Sequence, residues 1–169
     1  MNYTIQNGWY VLYVRYNREK KVRDLLEEND IECFLPLVKK VSQWSDRKKT
    51  ISKPLFPSYI FVRIEDIADF HTASNLEGVV KYVNFGRDYA RISEKEIDKI
   101  RLLTGEKEFS DVEIKSDVFK IGDVRKVAIG PFRGMECEIV KINNVDRIIV
   151  RLEALQQVVT ASIPSYYFE

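Results

Sequence analysis

The segment running from Gly122-Asp123 to Gly130-Pro131-Phe132-Arg133-Gly134 constrains the fold more than any other part of the chain. Glycine enters the left-handed backbone region at no steric cost, and proline fixes its own φ. Glycines on either side of a Pro-Phe pair therefore dictate a tight reversal. Around this turn the chain breaks into short β-rich runs over 124–129, 138–142 and 148–152, with a second turn signal at Asn143-Asn144. Runs this short, joined by turns alone, imply a small all-β barrel of roughly five strands over 121–169.

Upstream the periodicity is different. Trp9 to Tyr16 is aromatic and β-branched, a buried strand. Asn17 can cap a following helix whose Val22, Leu25 and Leu26 share one face. Ile31 to Val41 returns to strand composition, with Pro36 marking an edge or bulge, and the polar, basic stretch 42–53 reads as a loop or hairpin tip. Leu55 to Ile64 is the strongest strand. Tyr59, Phe61 and Arg63 alternate with Ile60, Val62 and Ile64, so both faces carry apolar groups. A short helix over 66–75 with Ile67 and Phe70 inward, a strand over 79–83, and a capping box at Ser93-Glu94-Lys95-Glu96 before Ile97, Ile100 and Leu103 complete the pattern, with Gly105 as its stop. The expectation is an α+β fold: an antiparallel sheet with flanking helices over 8–104, a charged linker over 105–120, and the small barrel over 121–169.

With 169 residues, 45% of them hydrophobic, there is enough apolar material for one ordinary domain or two small ones. The net charge of +1 conceals a basic cluster, Lys39, Lys40, Arg47, Lys48, Lys49 and Lys53, opposed in that stretch only by Asp46, and an acidic lean over 106–117. Cys33 and Cys137 are too few for a disulfide framework or a paired-cysteine metal site. No secretory or membrane-length apolar run is present, so a reducing cytoplasm is the expected compartment. His71 is the sole histidine, which rules out a multi-histidine metal centre, and no glycine-rich phosphate loop occurs. No nucleophile with a base and no acid–base pair can be assembled. The chain reads as a non-enzyme without cofactor or metal.

Three motifs in order carry a family resemblance. Gly122-Asp123, Gly130-Pro131-Phe132 and Gly134 resemble the KOW pattern of the NusG family of transcription elongation factors, with Cys137 where a further glycine is usual. Trp9-Tyr10, Leu55-Phe56-Pro57-Ser58-Tyr59-Ile60-Phe61-Val62 and Tyr82-Val83-Asn84-Phe85-Gly86 look like the N-terminal (NGN) domain of the specialised RfaH-like and UpxY-like members. The likeness spans residues 8–169. It implies an NGN-type antiparallel sheet with flanking helices, followed by an SH3-like KOW barrel.

The resemblance also implies partners and contacts. An aromatic patch matching Tyr10, Phe56, Pro57, Tyr59 and Phe61 would dock on the clamp of RNA polymerase, and His71-Thr72 would meet the polymerase gate loop across the DNA cleft. The same aromatics read equally as ordinary sheet core, and His71 as a solvated residue. Arg15, Arg18 and Lys21 form a basic face suited to the non-template DNA strand or simply to water. Gly122, Gly130, Pro131, Phe132 and Gly134 would shape a KOW turn that meets a ribosomal protein or a termination factor, although Phe132 can also be a core plug. Trp44, in its basic loop, is a further candidate contact. Antitermination by a monomeric, specialised regulator leads. A housekeeping elongation factor and a ribosome- or RNA-binding adaptor are the alternatives. Helix-forming residues at 151–157 raise the further possibility that the C-terminal domain switches fold, although Val158-Val159 and Tyr166-Tyr167-Phe168 favour β structure.

Overall fold

The computed structural model describes residues 5–44, 47–105, 110–116, 122–128, 133–142 and 145–162, in two compact units, Met1–Glu94 and Lys95–Glu169. The first opens with β1 (Gly8–Val14) and α1 (Glu19–Glu28). It continues through β2 (Cys33–Phe34), a hairpin of β3 (Leu37–Trp44) and β4 (Arg47–Pro54), β5 (Tyr59–Ile64) and α2 (Ile67–Asn75), and ends in β6 (Val79–Tyr82), β7 (Asn84–Phe85), β8 (Asp88–Tyr89) and β9 (Arg91–Ile92). The main sheet is antiparallel in the order β2-β5-β1-β6, with β9 also paired to β1. At its centre Gly8 lies opposite Ile64 and Tyr13 opposite Tyr59.

Alternation along the two central strands decides the register. Tyr10, Leu12 and Val14 of β1 and Ile60, Val62 and Ile64 of β5 form one core with Val22 and Leu26 of α1 and Phe70 and Ala73 of α2. Burying one such aliphatic or aromatic side chain contributes about 1.5–3 kcal/mol. A slip of one residue would turn the whole set toward the opposite face, so that register is strongly disfavoured.

Several local expectations are corrected. Asn17 does not cap α1: it takes φ +61°, and Arg18 is the N-cap, without a side-chain capping bond. Asparagine tolerates the left-handed region, and here it turns the chain between β1 and α1. Asp66 caps α2, its Oδ1 accepting from Ala68 N–H at 2.8 Å and Asp69 N–H at 2.9 Å. Phe70 points inward as expected, but Ile67 is 52% exposed. Three-residue steps drift by about 60° around a helix, so Ile67 falls outside the stripe centred on Phe70 and Ala73. Leu35-Pro36 breaks the stretch expected as one strand, leaving β2 at the sheet edge and β3 in the hairpin. The stretch 42–53 is the distal part of that hairpin, whose ladder runs from Leu37 opposite Pro54 to Trp44 opposite Arg47. The short strands β7, β8 and β9 carry too few residues for their periodicity to have been visible.

The second unit contains α3 (Glu94–Gly105) from Lys95 onward, then β10 (Ser110–Ser116), β11 (Asp123–Lys126), β12 (Glu136–Ile142), β13 (Val145–Leu152), a 3-10 turn at Glu153–Leu155 and β14 (Gln157–Ser162). Ile97, Ile100 and Leu103 of α3 are buried, as their spacing requires. The strands make one antiparallel sheet in the order β10-β14-β13-β12-β11. β10 corrects the expected linker over 105–120, because Ser110–Ser116 pairs with β14. Val112 and Ile114 alternate there with Asp111, Glu113 and Lys115, a strand pattern that the charge of the stretch obscured. The helix-forming stretch 151–157 becomes the end of β13, the 3-10 turn and the start of β14.

Candidate functional site

The face of the first sheet opposite α1 and α2 gathers aromatic side chains. Across the central ladder Trp9 pairs with Arg63, Val11 with Phe61 and Tyr13 with Tyr59. Phe61 stacks on Phe34 at 6.0 Å between ring centroids and meets Phe56 edge-on at 5.4 Å, and Tyr13 and Tyr59 lie 5.6 Å apart. Exposure grades across this set. Trp9, Phe56 and Phe61 are buried, Tyr59 is half-buried, Tyr13 is 38% exposed and Pro57 is exposed. Surface available to a partner thus comes from Tyr13, Tyr59 and Pro57, with Phe56 and Phe61 behind them. Tyr13 was missed in the sequence reading, although the two-residue period from Trp9 through Val11 leads directly to it.

Tyr10 lies on the other face. It packs edge-on against Phe70 at 6.1 Å and Tyr82 at 6.0 Å, its hydroxyl donates to the Gln6 carbonyl at 2.7 Å, and the Arg91 guanidinium lies 5.6 Å from its ring centre. Phe70 and Tyr82 stack at 4.0 Å in the same cluster, and burial pushes the Tyr82 phenol pKa up. Strand alternation makes the separation unavoidable, since neighbouring residues of β1 point to opposite faces. Tyr10 is therefore parted from Tyr59 and Phe61, with which the sequence had grouped it.

The loop before β5 is pinned to α1. Glu19 is buried, 4% exposed, and its Oε1 accepts from the Ser58 backbone N–H at 2.8 Å. Ser58 takes φ +68°, and its carbonyl accepts from Val14 N–H at 2.8 Å. A buried carboxylate is costly unless hydrogen-bonded, and this contact joins the helix start to the residue between Pro57 and Tyr59.

Arg15, Arg18 and Lys21, separated in sequence between the end of β1 and α1, are brought together around one carboxylate. Lys21 Nζ donates to Glu77 Oε2 at 2.8 Å. The hydrogen bond and charge of Lys21, with the charges of Arg18 and Arg15 behind it, hold the Glu77 carboxyl below its ordinary pKa. Arg18 N–H donates to the Arg15 carbonyl at 3.0 Å, closing a turn whose tip is Tyr16, 72% exposed. Lys20 adds a fourth cation and donates to the Ser52 carbonyl of β4 at 3.2 Å. An aromatic tip among exposed cations is a combination suited to stacking a base while holding phosphate. Strand composition extends through Tyr16 although the chain turns there, and nothing in the spacing of Lys20 shows its contact with β4, so neither residue is evident from the sequence.

His71 and Thr72 lie on α2, which packs on the face opposite the Tyr13–Tyr59 pair; His71 is exposed and Thr72 half-buried. The His71 carbonyl accepts from Ser74 Oγ and Asn75 Nδ2, both at 2.9 Å, which closes the last turn of α2. These residues and the aromatic face thus occupy opposite sides of the first unit.

In the second unit Gly122 leads into β11. Its N–H donates to Glu138 Oε1 at 2.7 Å, and the same carboxylate receives Arg151 Nε at 2.9 Å and Nη2 at 2.8 Å. The Arg151 hydrogen bond, more than the Gly122 N–H, keeps the Glu138 carboxyl pKa low against the opposing effect of burial. A Cβ on Gly122 would stand 2.3 Å from the Ile139 carbonyl oxygen, so the residue must be glycine. Gly134 takes φ +82° and donates to the Val127 carbonyl at 2.8 Å. Gly130, Pro131 and Phe132 lie outside the described residues, as does the Trp44 side chain. Cys137 occupies a regular, buried position in β12 opposite Arg125, where the departure from glycine demands no special backbone.

The described residues hold no group of three or more histidine, cysteine and acidic side chains able to bind a metal ion, and no helix long and apolar enough to cross a membrane. Burial pushes the Cys33 thiol up to about 12 and raises that of Cys137. Thiolate is the reactive form, so both are poor nucleophiles.

A helix-backed antiparallel sheet with an aromatic opposite face and a convergent basic cluster, followed by a second antiparallel sheet, makes this an α+β protein. The family described as "Transcription termination factor nusG" matches residues 7–101, more than half of the chain. The chain belongs to the NusG family, whose members are transcription factors and not enzymes. It is similar to the "Transcription termination/antitermination protein NusG" of Rickettsia bellii (strain RML369-C), with 25% identity over 135 residues covering 73% of this chain and 68% of the relative. The solved structure "Domain interaction in Thermotoga maritima NusG" aligns with a TM-score of 0.51 and 21% identity over 97% of each chain, a likeness of fold alone.

Proposed function

We propose that this chain is a specialised, RfaH- or UpxY-like elongation regulator that binds RNA polymerase and suppresses pausing and termination. The observation that carries the reading is the Tyr13–Tyr59 pair, 5.6 Å apart on a rigid sheet face backed by Phe61. Rigid aromatics with little side-chain entropy to lose are suited to a shallow protein docking site. His71 and Thr72 on the far side of the unit give a second contact, so one small domain spans a cleft and holds its walls at a fixed separation. Such a factor works by binding the elongating state better than the paused state, with no covalent step.

Arg15, Arg18 and Lys21, with Tyr16 at the turn, hold the non-template DNA strand in this reading. In this reading the second sheet belongs to a KOW barrel of SH3-like form that recruits a ribosomal protein or a termination factor through the Gly130-Pro131-Phe132 segment. The test is co-purification of core RNA polymerase with wild type and with a Tyr13→Ala, Tyr59→Ala variant whose fold is verified by circular dichroism. Capture by wild type and loss in the folded variant is the expected result. Failure of wild type to capture polymerase would sink the reading, and RNA binding through the second unit would then favour an RNA adaptor.

A further inference from the structure

Glu77 sits between α2 and β6, immediately before Gly78, and the Gly78 carbonyl accepts from Arg15 N–H at 2.8 Å. Gly78 takes φ +98°, and a Cβ there would stand 3.0 Å from Val22 Cγ2 and 3.4 Å from Arg18 Cβ, so the turn is seated closely against the start of α1. This backbone holds the exposed Glu77 carboxylate at 2.8 Å from Lys21 Nζ. A surface pair of this kind adds little to folding, because water screens it and two long side chains must be ordered. Its effect falls instead on what the cations can bind. The carboxylate oxygen takes one of the three ammonium donors of Lys21 and offsets the charge of Arg18 and Arg15 beside it, both of which a phosphate of a nucleic-acid strand would otherwise use.

We propose that Glu77 is a built-in competitor for phosphate, occupying the Lys21 ammonium until a strand displaces it and so limiting indiscriminate nucleic-acid binding. This rests on the reading of the Arg15–Lys21 surface as a contact for single-stranded DNA. Specificity arises as readily from an unfavourable element set against wrong ligands as from attraction to the right one. Here the penalty applies to every strand equally. Only a strand held in place by a second attachment, such as the polymerase on which the protein is docked, overcomes it without loss of occupancy.

The experiment is fluorescence anisotropy with a fluorescein-labelled oligodeoxythymidylate over a salt series, using full-length wild type, Glu77→Gln, Lys21→Gln and the double variant. Glu77→Gln should bind about three- to tenfold more tightly at low salt, and its plot of log affinity against log salt should steepen by about 0.7, one further phosphate neutralised on a single strand. Lys21→Gln should weaken binding more in the Glu77→Gln background than in wild type, since only there is the ammonium free. Equal affinity and slope for wild type and Glu77→Gln would overturn the inference while leaving the DNA-binding surface intact. No binding by any of the four proteins at low salt would overturn that surface reading and this inference together.

Discussion

The two five-stranded sheets of this molecule are assembled by opposite rules. In the first, no neighbouring strands are consecutive in the chain: β5 lies beside β2 and β1, and β1 beside β6 and β9. In the second, β11, β12, β13 and β14 follow one another, and only β10 arrives from a distance. The first is therefore specified by which face of β1 and β5 is apolar, whereas the second is specified by turns and by the polar node at their base. Loss of a large side chain should damage the first sheet most, and loss of a glycine or a charge the second.

Phe61→Ala should have the largest effect, about 3–5 kcal/mol, because it removes a fully buried ring touching Phe34 and Phe56. Amide hydrogen exchange should show the loss concentrated in the β1–β5 ladder. Unchanged protection there would contradict the face assignment. Gly122→Ala comes next, at about 1–3 kcal/mol, because its methyl would meet a backbone carbonyl, which cannot rotate away as a side chain can. Gly134→Ala has open space and only the left-handed φ to oppose it, so about 1–2 kcal/mol is expected. Thermal unfolding of the two variants side by side would break the contrast if Gly134→Ala proved the worse.

Glu138→Ala should cost about 1–3 kcal/mol by leaving the Gly122 N–H and the Arg151 guanidinium without this acceptor. Its carboxyl pKa is depressed in the folded chain, so its stabilisation is fully present above the ordinary value of 4.5 and is lost as pH falls through the lower folded value. Acid titration of the second sheet followed by NMR should show this loss in wild type, and the Glu138→Ala variant should lack that component. Tyr16→Ala should leave stability within about 0.5 kcal/mol of wild type. It should nevertheless weaken single-stranded DNA binding by about 1–3 kcal/mol, the usual contribution of one stacked base. The smallest effect concerns the thiols: in the native chain, iodoacetamide at neutral pH should modify Cys33 and Cys137 far more slowly than in urea.

The same contrast explains what could be read in advance. Turns and β-branched runs revealed most of the second sheet, because its connections are local. β10 was hidden because five charged or polar residues surround Val112 and Ile114 in Ser110–Ser116, and composition was weighed above alternation. In the first unit the strands at Gly8–Val14 and Tyr59–Ile64 and the inward Phe70 were legible, but Arg15-Tyr16 and Leu55 to Ser58, expected as parts of those strands, form turns instead. The partition of Tyr10 from Tyr59 and Phe61 follows from the two-residue period only once the β1–β5 register, Tyr10 opposite Val62, is known. No local rule could have shown that Glu77 meets Lys21, a contact spanning 56 positions. That neighbourhood exists only because β6 pairs with β1 and delivers the preceding turn to the start of α1.

The buried Glu19–Ser58 contact links two surfaces mechanically. The helix that carries Lys21, with Arg18 as its N-cap, begins at Glu19, and Ser58 stands between Pro57 and Tyr59. One end of the bond is thus anchored beside the cations and the other beside the aromatics, and Val14 fastens Ser58 to the strand as well. The stretch acts as a gauge block: whatever grips Tyr59 also sets the position and bearing of the Arg18 and Lys21 cations. In the proposed function, a partner seated on one surface thereby aims the other without any moving part.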